Sequence, residues 1–324
     1  MAAINVLRRA LFYVPGSNQR MLEKSRRLTV DCVAYDLEDS VTIALKDEAR
    51  EMVKAELDQS KPEGVKERAV RINSVGSGLA ETDLKAMLQS PNLSTLVVPK
   101  VNSASDLRFI HDMVTHALSS TTPTTPRPPI SILALVETAK SLINLSEICT
   151  ATPLLSGLIF AAEDFALDLS ITRTPCLSEF LYARSAIVTA ARANNLPSTI
   201  DLVCTSYSSR SAQHPEDKRA VNLLKSEAQD GKRLGFNGKQ CIHPSQIQIV
   251  QEMFSPERKE LEWAVRVAIA DEKAASQGRG AWTLGGKMVD VPVAEKARLI
   301  VKRAEACGMD VEAFRKEWAD QEPE

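Results

Sequence analysis

The chain has 324 residues, with 40 lysines and arginines against 42 aspartates and glutamates, so its formal charge is −2 at pH 7. This length suffices for one large α/β domain, or two small ones, with a substantial core. The chain has no basic surplus and only 5% aromatic residues, which argues against nucleic acid as a partner. No apolar run approaches the roughly 20 residues that cross a bilayer, so we expect no membrane-spanning helix.

The six cysteines are scattered without a close pair, and the chain has four histidines. This spacing favours neither a zinc site nor a disulfide framework, and it is typical of proteins from a reducing compartment. The first nine residues are too short for a secretory signal, although they are compatible with the remnant of an organellar presequence. We therefore expect an intracellular protein, either cytoplasmic or mitochondrial.

Eight apolar runs alternate with helix-like segments along the chain. The predicted strands are Ala10–Val14, Cys32–Glu38, Ala69–Asn73, Thr95–Val101, Ile130–Glu137, Gly157–Asp164, Thr199–Val203 and Lys239–His243. Most of these runs are continuous rather than alternating, which is typical of strands buried on both faces. Eight rounds of strand and helix predict an α/β fold, a (β/α)₈ TIM barrel, over residues 1–250.

A C-terminal helical extension is predicted over residues 251–324. Its two helical runs are Pro256–Gln277 and Val293–Ala306. The link between them is rich in glycine, at positions Gly278, Gly280, Gly285 and Gly286. Such a composition suits a mobile lid or an arm that reaches another subunit. Two further segments resemble insertions: Ser119–Pro129 is rich in Ser, Thr and Pro and is predicted to be a loop, and the polar Ser206–Asp217 is predicted to be exposed.

Acidic residues stand at the ends of predicted strands. Glu137 ends the fifth strand and Asp164 the sixth. Because adjacent parallel strands bring their carboxyl ends together, we expect these two carboxylates to share one cation. Two carboxylates, with water at the remaining positions, is the arrangement typical of Mg²⁺. For either acid alone, the alternative is a helix cap or an ion pair with a lysine.

A second acidic group, Asp36, Glu38 and Asp39, follows the second strand. These like charges require cationic partners, or water-mediated contact with the same metal, so we expect them to support the metal ligands. Arg71 ends the third strand. Its planar fork either holds a substrate carboxylate or forms a buried ion pair with Asp36 or Glu38. Lys100, after the fourth strand, has the same two alternatives.

Eight motifs together are characteristic of one protein family. In chain order they are Leu11–Ser17, Asp36–Val41, Arg71–Asn73, Val98–Val101, Glu137–Ala139, Ala162–Phe165, Gly238–Gln246 and Met288–Pro292. On these residues the chain resembles the citrate lyase beta-subunit-like group of the HpcH/HpaI aldolase superfamily. The resemblance extends from Phe12 to about Pro292 and implies a barrel that assembles as a homotrimer or a multiple of it.

The resemblance also implies a chemistry. Family members cleave a 3-hydroxyacyl-CoA, such as citramalyl-CoA or malyl-CoA, into acetyl-CoA and a 2-oxo acid. A Mg²⁺ ion would be held by Glu137 and Asp164. Asp290 matches a catalytic acid that family members supply from the C-terminal arm of a neighbouring subunit.

The substrate would be bound by a further set of side chains. The resemblance places Arg71 on the substrate carboxylate, as a binding and catalytic group. Phe12, Pro15 and Lys100 complete the predicted substrate-binding set. Two other functions stay open, namely a thioesterase acting on malyl-CoA-like substrates and a non-catalytic barrel used for assembly.

Overall fold

The computed structural model of the protein describes residues 6–119, 129–207 and 215–324. The predicted insertions Ser119–Pro129 and Ser206–Asp217 lie largely outside these residues. The chain divides into two compact units, one that ends at Phe254 and one that spans Ser255–Glu324. None of the described helices has the length and apolar character needed to cross a membrane.

Eight parallel strands close into a barrel in the first unit, which confirms the predicted fold. They are β1 (Ala10–Pro15), β2 (Val30–Asp36), β3 (Val65–Arg71), β4 (Thr95–Val98), β5 (Ser131–Val136), β6 (Leu155–Phe160), β7 (Ser198–Asp201) and β8 (Gly238–Cys241). Each strand pairs with the next one in sequence, and β8 closes on β1. All strand carboxyl ends therefore lie at the same mouth of the barrel.

Helices follow the strands around the barrel. They are α1 (Gln19–Ser25), α2 (Lys46–Asp58), α3 (Ala80–Met87), α4 (Ala104–Ser119), α5 (Ala139–Ile143), α6 (Leu145–Cys149), α7 (Ala162–Leu169), α8 (Leu181–Ala193), α9 (Pro215–Leu234) and α10 (Pro244–Met253). The predicted sixth strand was too long. It ends at Phe160, and α7 already begins at Ala162.

Strand residues alternate between two apolar environments. The inside of the barrel is filled by Leu11, Cys32, Ala34, Ala69, Val97, Leu133, Leu135, Ile159 and Ile200. The opposite faces pack against the helices, and Phe12 and Val14 of β1 belong to that outer core. The partly buried Tyr13 joins the inner cluster. Its side chain therefore lies inside the barrel while that of Phe12 lies outside it.

A polar network closes the amino-terminal end of the barrel. The buried Arg8 side chain donates to both carboxylate oxygens of Glu67, at 2.6 and 2.7 Å. Its remaining N–H groups donate to the hydroxyls of Ser131, Ser156 and Ser198, each at 3.0 Å. Because the N–H groups of the Arg8 guanidinium all have acceptors, its positive charge is tolerated in the interior of the barrel.

The second unit has its own apolar core. It consists of α11 (Arg258–Ser276), a hairpin of β9 (Trp282–Leu284) and β10 (Lys287–Val289), α12 (Val291–Ala306) and α13 (Val311–Glu317). Gly285 and Gly286 form the two-residue hairpin turn, with φ of 57° and 73°. Both positions need the left-handed region, which explains glycine there. The second half of the glycine-rich link thus forms a hairpin, and Gly278 and Gly280 precede it.

Candidate active site

A cavity of about 460 Å³ opens at the carboxyl ends of the barrel strands. Several of the predicted site residues line it, including Pro15, Asp36, Asp39 and Arg71. They come from β1, β2 and β3, which are far apart in sequence and adjacent in the barrel. Most of the acidic and basic residues predicted as site residues therefore lie together at the mouth of the barrel.

Glu137 and Asp164 line the same cavity. Glu137 is the first residue beyond β5, and Asp164 lies in the first turn of α7 rather than at a strand end as predicted. Burial and the hydrogen bond with Asp164 raise the pKa of Glu137 to about 8, and the negative charge of Glu38 adds to this effect. Two carboxylates so close together need a shared proton or a cation between them.

Lys100 holds the Glu137 carboxylate through its backbone. Its amide N–H donates to Glu137 Oε1, and the residue adopts a left-handed conformation with φ of 50°. The Lys100 ammonium lies 3.4 Å from Glu38 Oε1. Lys100 is not among the described residues that line the cavity. The structure thus places Lys100 in the ion-pair alternative, and its contact with substrate stays a prediction.

Arg71 combines an ion pair with access to the cavity. Its Nε and Nη2 donate to the two carboxylate oxygens of Asp36, each at 2.7 Å. Its Nη1 lies 3.2 Å from Glu38 Oε2 and 3.4 Å from Asp39 Oδ2. One edge of the fork is therefore occupied by Asp36. Arg71 also lines the cavity. The ion pair with Asp36 is therefore compatible with the other alternative, in which Arg71 binds a substrate carboxylate.

Asp36 organises the acidic turn that follows β2. Burial opposes its ionisation, but the hydrogen bonds and charge of Arg71, with a further bond from Ser40, outweigh it and lower the pKa of Asp36. Its Oδ1 also accepts from the Glu38 amide at 2.9 Å, and its Oδ2 from the Ser40 amide at 3.1 Å. Asp36 is thus a charged anchor for both the turn and Arg71.

Glu38 lies buried within this turn. Neither of its carboxylate oxygens has a hydrogen-bond partner among the described residues, although Arg71 and Lys100 are nearby. Burial raises the pKa of Glu38 to about 7, against the opposing charge of Arg71. The Lys46 ammonium donates to the backbone carbonyl of Glu38 at 2.7 Å. This buried cation offsets part of the negative charge of the turn.

The sequence misplaced one substrate-binding residue on β1. Phe12 belongs to the outer core and is not among the described residues that line the cavity, whereas Tyr13 lines it. Successive strand residues face opposite sides, so only one of these two rings can point inward. The Tyr13 hydroxyl donates to Gln240 Oε1 at 3.0 Å. Both residues stand in the Leu11–Ser17 motif. The resemblance put Phe12 in the substrate-binding set, and no pattern in the sequence marked Tyr13.

Asp290 lies in the second unit, directly after β10. Its carboxylate accepts a hydrogen bond from the backbone of Val293 at 3.2 Å and so caps α12. The neighbouring side chains of Met288 and Val291 are exposed apolar groups. The predicted catalytic acid is therefore held at a helix start, flanked by apolar surface.

Comparison with known proteins places this barrel in a family. A sequence model of HpcH/HpaI aldolase/citrate lyase matches residues 9–244. This chain belongs to that family. It is similar to the mitochondrial citramalyl-CoA lyase of Homo sapiens, with 35% identity over 92% of this chain and 85% of the relative. It is also similar to the (3S)-malyl-CoA thioesterase of Cereibacter sphaeroides, with 31% identity over 95% of this chain and 96% of the relative.

A solved family structure shows the same fold with ligands. The protein CitE of Mycobacterium tuberculosis, in complex with magnesium, acetoacetate and coenzyme A, matches with a TM-score of 0.70 and 30% identity. The match covers 93% of this chain and all of that one. Magnesium and coenzyme A are therefore bound in a solved structure that is similar to this chain in fold and sequence.

The donor set at the mouth suits the metal of that family structure. Across residues 6–119, 129–207 and 215–324, no group of three or more His, Cys, Asp or Glu is arranged to hold a metal. The Glu137–Asp164 pair instead offers two hard oxygen donors. This is the donor set of Mg²⁺, which keeps water or substrate oxygens in its other positions. It does not suit zinc, which prefers nitrogen and sulfur ligands.

Proposed function

We propose that this protein is a Mg²⁺-dependent carbon–carbon lyase that acts on a 3-hydroxyacyl-CoA of the citramalyl-CoA or malyl-CoA type. Its products are acetyl-CoA and a 2-oxo acid. The observation that carries the proposal is the pairing of Glu137 and Asp164 in one cavity with Arg71. The similarity to a citramalyl-CoA lyase over most of the chain supports the same reaction.

Each side chain at the mouth has a role in this proposal. Glu137 and Asp164 hold the Mg²⁺, which when bound supplies Lewis-acid polarisation of the substrate oxygens. Arg71 binds the substrate carboxylate, and its bonds to Asp36 fix the position of the guanidinium. Pro15 lies at the end of β1 and contributes an apolar wall.

Asp290 exchanges the proton of the acetyl-CoA methyl group. As the carbon–carbon bond breaks, the 3-hydroxyl loses its proton to a base and becomes the carbonyl of the 2-oxo acid. The released carbon keeps the electron pair of the broken bond, and a carboxylic acid is a suitable donor of the proton that it takes up. In the reverse direction the carboxylate removes the same proton. The hairpin of β9 and β10 carries this acid to the mouth of a neighbouring subunit, in keeping with the exposed Met288 and Val291 beside it.

The assembly we infer is a homotrimer or a multiple of it. Ile143, Leu167 and Tyr182 are 78%, 79% and 72% exposed. They lie on α5, α7 and α8 of the first unit, and α5 contacts each of the other two helices. Exposed apolar groups in one region are typical of an interaction surface. Light scattering of the purified protein tests the assembly, and a monomeric mass would contradict it.

Product identification tests the proposed reaction. The protein is incubated with citramalyl-CoA and with malyl-CoA, with and without EDTA, and the products are separated. We expect acetyl-CoA together with pyruvate or glyoxylate, and loss of both with EDTA. A Glu137→Gln variant is the matched control, because it keeps the shape of the side chain and removes a charged ligand. Absence of carbon–carbon cleavage with either substrate would contradict the proposal.

A thioesterase is the second candidate, because the chain is similar to a malyl-CoA thioesterase over nearly its whole length. In that case the same incubation releases free CoA and the intact hydroxy acid. A non-catalytic barrel is the third. It predicts that Mg²⁺ does not raise the melting temperature, since a scaffold has no need of a metal site.

A further inference from the structure

Asp168 connects the two segments that carry the paired carboxylates. It lies four residues beyond Asp164 on α7, so both side chains project from the same face of the helix. Its Oδ2 accepts a hydrogen bond from the backbone N–H of Ala139 at 2.7 Å. Ala139 stands two residues beyond Glu137 and begins α5. Asp168 therefore ties the segment that bears one carboxylate to the helix that bears the other.

A second hydrogen bond closes this connection into a ring. The Ala161 amide donates to the Val136 carbonyl at 3.1 Å, where β5 and β6 end. Glu137 follows Val136, and Asp164 follows Ala161 by three residues. Each carboxylate-bearing segment is therefore held on one side by this backbone bond and on the other by Asp168. The two bonds together limit how far the two segments can separate.

The turn after Glu137 is also held from the loop that follows β4. The Thr138 hydroxyl donates to Asn102 Oδ1 at 2.5 Å and accepts from the Ser141 amide at 3.0 Å. These contacts orient the start of α5, but they involve no residue of α7. The Ala139 N–H is in the first helical turn, where it has no partner within the helix. A carboxylate is favoured at that position because the helix dipole is positive there.

We propose that Asp168 is a positioning residue that fixes the separation of Glu137 and Asp164 for the divalent cation. The inference rests on the proposed function, in which those two residues hold Mg²⁺. Without Asp168 the Ala139 N–H bonds to water, and the first turn of α5 loses its hydrogen bond to α7. The two metal ligands then lose their preset spacing, and cation binding must restore it.

Magnesium titration of the melting temperature tests this role without turnover. The full-length protein is compared with Asp168→Ala, Asp168→Asn and the control Asp112→Ala, which changes an exposed aspartate on α4. We expect Asp168→Ala to weaken Mg²⁺ binding by about tenfold, as is typical when a residue that orients a metal ligand is lost. Asp168→Asn should stay within about threefold of wild type, because its amide oxygen still accepts the Ala139 bond. Without Mg²⁺, all variants should melt close to the control.

Three outcomes separate this inference from the proposed function. Equal Mg²⁺ affinity in wild type and Asp168→Ala, with binding abolished in Glu137→Gln, overturns the positioning role alone. Equal losses in the Ala and Asn variants also overturn it, because the hydrogen bond would then not be the cause. A wild type that shows no response to Mg²⁺ overturns the metal site and the inference together. Since Asp168 is exposed, we expect the Ala variant to fold, and Asp168→Ser provides the same comparison if it does not.

Discussion

The Arg71 guanidinium stands over the Tyr13 ring, 4.8 Å from its centre. A cation over an aromatic face is stabilised by the charge distribution of the ring. Asp36 holds the same guanidinium by two hydrogen bonds, so a ring and a carboxylate together define its position. Gln240 fixes the Tyr13 hydroxyl, and its own amide donates to the carbonyl of Phe160 at 2.8 Å. The position of Arg71 thus depends on residues from β1, β2 and β8.

Substitution of Phe12 should lower stability, whereas substitution of Tyr13 should lower catalytic efficiency. We expect Phe12→Leu to lower the free energy of unfolding by about 1 kcal/mol, because its ring packs against the helices, and to leave KM unchanged. Tyr13→Leu should lower kcat/KM at least tenfold, because it removes the ring beneath Arg71. Denaturant unfolding and steady-state kinetics measure the two effects. A raised KM in Phe12→Leu would show that its side chain reaches the cavity.

Arg71→Lys should impair the enzyme while keeping the positive charge. A lysine ammonium cannot make the two parallel bonds to Asp36, so the cation loses its fixed position. We expect kcat/KM to fall by about 100-fold, as is typical when a binding group is displaced by about an ångström. The exposed Arg27, changed to lysine, is the matched control. Activity within threefold of wild type would show that charge alone suffices at position 71.

Mg²⁺ affinity should rise with pH up to about 8. The raised pKa of Glu137 means that this carboxyl keeps its proton to about pH 8 when no metal is bound. Mg²⁺ must displace that proton, so each unit of pH below the pKa weakens binding roughly tenfold. Above the pKa the affinity should level off. Thermal titrations with MgCl₂ between pH 6 and 9 measure this dependence, and an affinity constant over that range would contradict it.

Arg8→Met should destabilise the barrel strongly. It leaves the buried Glu67 carboxylate without its ion-pair partner, and breaking a buried pair in this way costs about 3 to 5 kcal/mol. The double variant Arg8→Met/Glu67→Met removes both charges and should recover most of that loss. Denaturant unfolding of the wild type and the two variants measures the effect. Equal stability of the single and double variants would show that the unpaired charge is not the cause.

Asp290→Asn should abolish turnover without loss of Mg²⁺ binding. The amide still accepts the bond from Val293 that caps α12, but it cannot exchange a proton with the acetyl-CoA methyl group. We expect kcat to fall by at least 100-fold, while Mg²⁺ still raises the melting temperature. Turnover within a factor of a few of wild type would remove Asp290 from the mechanism. Mixing Asp290→Ala with Arg71→Ala subunits should restore activity if the acid acts between subunits.

Sequence patterns identified the barrel because its strands are separate apolar runs with helical segments between them. The same patterns failed at strand ends. The apolar run predicts one strand over Gly157–Asp164, yet α7 begins at Ala162. The apolar residues continue from the strand into the helix, so hydrophobic periodicity does not show where the strand ends. The acids at the mouth were found because carboxylates after apolar runs are unusual. Asp168 carried no such signal, since an exposed aspartate on a helix has no distinctive pattern.

The order of the strands, the acidic turn at Asp36 and the carboxylates Glu137 and Asp164 followed from the amino-acid sequence by itself. Tertiary structure decided which face of each strand points inward. Strands of a parallel barrel are buried on both faces, so apolar periodicity does not distinguish Phe12 from Tyr13. Tertiary structure also decided the partners of Arg71 and Lys100. The sequence offers several acids as partners for each cation, and only the closed barrel sets the distances between them.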